Sequence, residues 1–256
     1  MAVDVKRRLF TVGEYHRMGE AGILTEDDRV ELLEGEVMEL HPAEGPRVGT
    51  AGVLDAFFVA GIPKSRRGVA LALQAHRRLF TVEEYHKMAE AGILGEDDRV
   101  ELLEGEIVQM PPIGSPHGGT VKRLIRLFTS RLGERAIVSA QDPVQLADHT
   151  EPEPDIALLH PRPDFYQSGH PTPADVYLLA EVGDSTIAYD RRVKLLLYAR
   201  AGISEVWVID INAERVEVYR DPSAQGYADV RILGRGSVLS PAAFPDVVVG
   251  VDDVLG

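Results

Sequence analysis

A chain of 256 residues that is 45% hydrophobic and 27% charged has the make-up of an ordinary globular protein able to bury a core, which excludes disorder throughout. With no cysteine, it excludes a disulfide framework, a thiolate zinc site and a cysteine nucleophile, and leaves any metal to oxygen or imidazole ligands. A formal net charge of −14 excludes a protein that coats nucleic acid by bulk electrostatics, although an enzyme that brings divalent metal to phosphate can keep an acidic site.

Residues 1–10 carry basic side chains with no apolar run behind them, the pattern of neither a signal nor a transit peptide. The longest apolar stretch, residues 51–62, contains Asp55 and falls short of the roughly 20 residues needed to span a bilayer. A cytoplasmic location is expected.

An internal repeat dominates the first half. Residues 7–36 return as residues 77–106, with differences at Gly13/Glu83, Arg17/Lys87, Gly19/Ala89 and Thr25/Gly95 alone. Each copy reads as a short helix capped by Thr11 or Thr81 and ended by glycine, then two strands joined by a Glu-Gly turn. Such a unit is too small to fold alone, and two copies are too few for a solenoid. The pattern is that of a partial duplication. Both copies are candidates for one place against the rest of the chain, and the second, being covalently adjacent, closes the shorter loop. Residues 43–75, rich in Gly, Ala and Pro, read as a linker or degenerate remnant.

Further on, residues 118–135 fit a helix with Val121, Leu124, Ile125, Phe128 and Leu132 along one stripe. Strands fit residues 136–147, 154–160 and 175–182. A second long helix fits residues 187–202, stopped by Gly202. A buried strand at 205–210, a meander at 215–221 and 229–234, and an apolar tail at 246–255 complete the chain. This order predicts an α/β fold, a mixed central sheet flanked by helices, with an N-terminal helix-hairpin extension.

Asp155 begins one predicted strand and Glu181 ends the next. Symmetric antiparallel pairing puts Tyr177 opposite Leu159 and Glu181 opposite Asp155, and directly opposed residues share a face with Cβ atoms about 4.5 to 5.5 Å apart. Two carboxylates side by side at the end of an apolar hairpin repel unless a cation or a proton compensates. Hydrolysis of a phosphodiester at neutral pH needs a hard cation on such oxygens to polarise the phosphoryl group and activate a water. Lys194, on the helix after the second strand, is placed to return its ammonium to the same edge, orient the water and stabilise developing charge.

The runs RVELLEGEIVQMPP, SPHGGTV, PEPDIALL and LLAEVGDSTIAYDRRVKLLLYARAGISEVWVID resemble the Uma-two family of restriction endonuclease-like proteins, a branch of the PD-(D/E)XK nuclease superfamily. The resemblance covers about residues 76–256. It implies a PD-(D/E)XK core there, with residues 1–42 as a partial duplicate of its N-terminal segment. It also implies a magnesium-dependent endonuclease, with manganese as an alternative ion, in which Asp155 and Glu181 bind the metal. In the superfamily a lysine follows the second acid by two residues, a position held here by Gly183. In the Uma-two branch the lysine lies on the following helix, which Lys194 matches. A further acid often joins from upstream, and Glu101 is the candidate, with Glu104 and Glu106 close behind.

Plainer roles compete. Pro154-Asp155 can simply mark a turn into a strand, and His117 in the SPHGG loop can be a local hydrogen-bonding group or a contact to phosphate or metal. The expected partner is nucleic acid, DNA first, with a homodimer suited to cutting both strands of a duplex. The rival function is a catalytically inactive relative that keeps the fold as a binding or assembly module.

Overall fold

The computed structural model describes residues 6–42, 73–95, 97–183 and 190–256. Most of the expected linker, residues 43–72, and the start of the helix expected at 187–202, up to residue 189, lie outside the described residues. The chain divides into two compact units, one of Leu9–Arg78 and one of Met1–Arg8 with Leu79–Gly256.

The smaller unit is a helix, α1 (Val12–Glu20), and a three-stranded antiparallel sheet of β1 (Val30–Leu33), β2 (Glu36–Pro42) and β3 (Leu73–Arg77). α1 opens with a capping box. The Glu14 amide donates to Thr11 Oγ1 at 3.2 Å and the Thr11 amide donates to Glu14 Oε2 at 2.6 Å, satisfying two of the amides a helix start leaves free. β1 and β2 turn through Glu34 and Gly35, both left-handed at φ 51° and 87° as a two-residue hairpin turn requires. β3 pairs with β2 in the register Met38↔Arg77, and the Arg78 amide continues the ladder to Val37 O at 2.8 Å.

The larger unit repeats that plan with α2 (Val82–Glu90), β4 (Val100–Leu103) and β5 (Glu106–Gln109), turning at Glu104 and Gly105. Its third strand comes from residues 6–8. Arg7 bridges Val108, the Arg8 amide donates to Ile107 O at 2.9 Å, and the Gln109 amide donates to Lys6 O at 2.8 Å. The segment 147–153 fastens this hairpin, with Leu102 bridging Glu151 and the Gly105 amide donating to His149 O.

The body of the unit is α3 (Ser115–Leu132) and a sheet built from β6 (Ile137–Ser139), β7 (Ile156–Leu159), β8 (Val176–Gly183), β9 (Glu205–Asp210), β10 (Arg215–Ser223) and β11 (Gly226–Gly234). The strands lie in the order β11-β10-β9-β8-β7-β6, antiparallel except for the parallel pair β8 and β9. This is the mixed α/β architecture expected. The strand foreseen over residues 136–147 is cut to β6, and at Gln141 the backbone turns left-handed, φ 57°, which an extended strand does not permit.

Alternation along the strands divides the core. Leu158, Leu178, Ala180, Val182, Trp207 and Ile209 face α3, whose Leu124, Phe128 and Leu132 are buried against them. Ala157, Leu159, Leu179, Val206 and Val208 face the other way, onto Leu195 and Tyr198 of α4 (Leu195–Arg200). The apolar tail forms β13 (Val249–Gly250), paired with β12 (Val238–Leu239), and then α5 (Val251–Leu255), whose Val251 and Val254 join the α3 side of the core. Among the described residues no helix is long and apolar enough to cross a membrane.

Candidate active site

On β8, Ala180 and Val182 belong to the α3 face, so Glu181 between them must face α4. A carboxylate buried there needs partners. Lys194 supplies one from a π-helical turn, Asp190–Lys194, that leads into α4. Its Nζ lies 3.4 Å from Glu181 Oε1 and 2.9 Å from Glu101 Oε2 of β4. The three side chains are nearly sealed from water, at 7% exposure for Lys194, 4% for Glu181 and 1% for Glu101. One helical turn beyond Lys194, the Tyr198 hydroxyl donates a short hydrogen bond to Glu181 Oε1.

The wider turn of a π segment is a frequent companion of functional sites. Here Arg191 holds it down, with Nη2 2.7 Å from Asp210 at the end of β9 and Nε 2.8 Å from Glu217 of β10. Those carboxylates, Glu217 first, raise the Arg191 pKa and keep the guanidinium charged.

The register Ile156↔Ala180 carried one residue further sets Asp155 against Glu181. The ladder stops there, and Asp155 Oδ2 takes the Val182 amide at 2.8 Å. The same oxygen lies 3.0 Å from His117 Nε2 near the start of α3, and Oδ1 accepts from Gln141 at 3.3 Å. The symmetric register fails farther along. Leu159 pairs with Val176, not Tyr177, because a bulge shifts the register between Leu158 and Leu159. Tyr177 stacks instead on His160, with ring centroids 3.9 Å apart.

Of the upstream acids, only Glu101 reaches Lys194. Glu104 pairs with Arg200 at 3.1 Å and Glu106 with Arg7 at 3.0 Å. A residue that sequence reasoning missed is Glu153. Its amide donates to Glu101 Oε2 at 3.3 Å, and its carboxyl is pushed up to about 7 by burial and by the charge of Glu101, against the pull of Lys194 and Arg99. The signal was present in the run Glu-Pro-Glu-Pro-Asp, where extended backbone carries residues two apart on one side.

Glu101, Glu153, Asp155 and Glu181 make a hard-oxygen donor set of the kind magnesium, manganese or calcium takes. Four carboxylates brought to one place, with Lys194 as the cation paired to two of them, are the all-oxygen chemistry a hard divalent cation takes, so the residues present fit such an ion. Their own contacts hold them now. Among the described residues, no three ligand atoms from this set come within 4.8 Å of one another.

Residues 82–252 match the Uma2 family, described as "putative restriction endonuclease". No curated protein matches the chain. Among solved structures, a "putative nuclease belonging to DUF820" from Anabaena variabilis matches with a TM-score of 0.53 at 18% identity, covering 69% of this chain and 97% of that one. At that identity the likeness shows the restriction endonuclease-like fold, and the family match over most of the larger unit agrees with it. The chain therefore belongs to the Uma2 family.

Proposed function

We propose that the chain is a metal-dependent endonuclease that hydrolyses phosphodiester bonds, with DNA as substrate and magnesium, or manganese in its place, as the ion. The observation that supports this most is the sealed cluster of Lys194 with Glu101 and Glu181, with Asp155 at the adjoining strand end. Buried charges of this density are costly to a fold and concentrate where chemistry is done.

Asp155 and Glu181 hold the cation, which when bound withdraws charge from the phosphate and acidifies a nearby water. Lys194 offers positive charge to the developing phosphorane, and Glu101 positions Lys194. Glu153, with a pKa of about 7, is suited to accept a proton near neutral pH. His117 orients Asp155. A homodimer would present two such sites to the two strands of a duplex.

A second reading is a catalytically inactive binding or assembly module. It is favoured by Gly183 at the superfamily's lysine position and by direct pairing of Lys194 with two of the acids. The test is cleavage of supercoiled and linear DNA with magnesium or manganese by the purified chain and by Asp155→Ala and Glu181→Ala. Metal-dependent cutting lost in both variants establishes the nuclease. No cutting by the parent, with no metal binding by calorimetry, establishes the module.

A further inference from the structure

His86, Glu151 and His170 each offer one ligand atom, and these atoms all lie within 4.8 Å of one another. His86 is on α2, Glu151 lies in the segment bridged to Leu102, and His170 precedes the 3-10 turn Pro173–Asp175. Glu151 is 1% exposed. Its Oε1 lies 2.7 Å from His86 Nε2, whereas Oε2 is buried with no hydrogen-bond partner among the described residues. The His86 and His170 rings meet edge to face with centroids 5.4 Å apart.

An unmet buried carboxylate oxygen is expensive, and two imidazoles whose nitrogens lie within 4.8 Å of the carboxylate complete the donors a borderline cation takes. Two imidazoles and a carboxylate suit zinc and related first-row ions, whereas magnesium prefers an all-oxygen set. We propose that His86, Glu151 and His170 form a second metal site, selective for zinc-like ions and separate from the acid cluster. Three protein ligands leave a fourth position open. The bound ion would tie α2 and the loop carrying His170 to the segment that leads to Glu153 and Asp155. The first copy contains an internal control. His16 is the counterpart of His86, it is exposed, and the duplicated residues include no counterpart of Glu151 or His170.

Zinc titrated by calorimetry into the full chain should bind with an affinity that His86→Ala and His170→Ala each lower by about tenfold or more. Binding should be unaffected by His16→Ala, by the Asp155→Ala/Glu181→Ala double variant and by saturating magnesium. His170 is exposed, so its variant reports on the ligand without a cost to the fold. No zinc binding, or binding that survives His170→Ala, overturns the site. Binding lost in the double variant assigns the zinc to the acid cluster and overturns it too.

A different observation carries a second inference. Within each copy the chain approaches its own hairpin turn, through the Phe10 amide on Gly35 O at 2.7 Å and the Phe80 amide on Gly105 O at 2.8 Å. Continued antiparallel, Arg78 would donate to Ile107 and Arg8 to Val37. The bonds found are Arg8 to Ile107 and Arg78 to Val37, in that same register. The geometry points to reciprocal strand exchange between the two copies, hinged at Arg8–Leu9 and Arg78–Leu79, where the two units also divide. The edge of each hairpin thus accepts the arginine-pair strand that precedes another copy of the repeat.

Arg7 and Val108 form a non-hydrogen-bonded pair, whose Cα separation of about 4.5 Å accepts a disulfide. The absence of native cysteine makes the assay clean. Arg7→Cys/Val108→Cys should oxidise to a cross-link within one chain, and Arg77→Cys/Val108→Cys should not. The opposite preference establishes direct pairing and overturns the exchange. Cross-linked dimers from the first pair place the partner strand on another molecule and overturn its assignment to this chain.

Discussion

Lys194 and Glu101 meet at 2.9 Å although they lie on different elements, the π turn and the β4 hairpin, and neither side chain has appreciable contact with water. Removing the ammonium leaves two buried carboxylates without their cation. Lys194→Met should therefore destabilise the chain by about 3–5 kcal/mol, and adding Glu101→Gln should recover part of that loss. Urea unfolding of the two single variants and the double one measures the coupling; additive losses would show that the pair is not coupled.

Tyr198 and Glu181 give a gentler test. Tyr198→Phe keeps the ring in the core and removes only the hydroxyl that donates to Glu181. A charge-assisted bond of this type contributes about 1.5–3 kcal/mol. The midpoint of unfolding should fall accordingly, and any metal-dependent cleavage should lose rate more than it loses substrate affinity.

The Glu153 carboxyl sets a pH dependence. Its pKa rises from 4.5 to about 7 on folding, so between those values the folded chain holds a proton the unfolded chain has released. Stability from this group is thus lost as pH rises through that window. Glu153→Gln, which imitates the protonated form, should lose less stability than the parent between about pH 5 and about pH 8. Parallel profiles would show that Glu153 titrates normally.

Gly105 sits at φ +83°, and a Cβ there would stand 2.6 Å from Leu79 Cβ and 3.1 Å from Leu79 Cα. Gly92 sits at φ +65° with open space around it. Both Gly→Ala changes carry the left-handed penalty of about 1–2 kcal/mol, but only Gly105→Ala adds a collision with backbone. Thermal denaturation should rank Gly105→Ala clearly below Gly92→Ala.

The sheet was legible because its strands are short runs of Val, Ile and Leu, and the opposition of Asp155 and Glu181 followed from antiparallel symmetry. The bulge between Leu158 and Leu159 was not legible, since no glycine or proline in β7 or in the facing residues 176–180 of β8 marks the extra residue. Glu101 could be nominated but not separated from Glu104 and Glu106, because only packing decides which acid meets Lys194. The two copies show the limit plainly. The same Val-Glu-Leu-Leu is buried throughout in β4 and exposed at alternate positions, Glu31 included, in β1. No local rule distinguishes identical strings. The third strand of each hairpin was missed for a related reason, as its partner comes from outside the copy.

The hairpin edges also suggest how a domain can tolerate a large insertion at its margin. Adding a repeat ordinarily exposes a new row of unpaired amides and carbonyls, an invitation to aggregate. Here β3 covers the edge of β2 and residues 6–8 line the edge of β5, so the inner edge of neither hairpin is left open. The near-identity of the two copies would then reflect recent origin together with a fold that accepted the second at once.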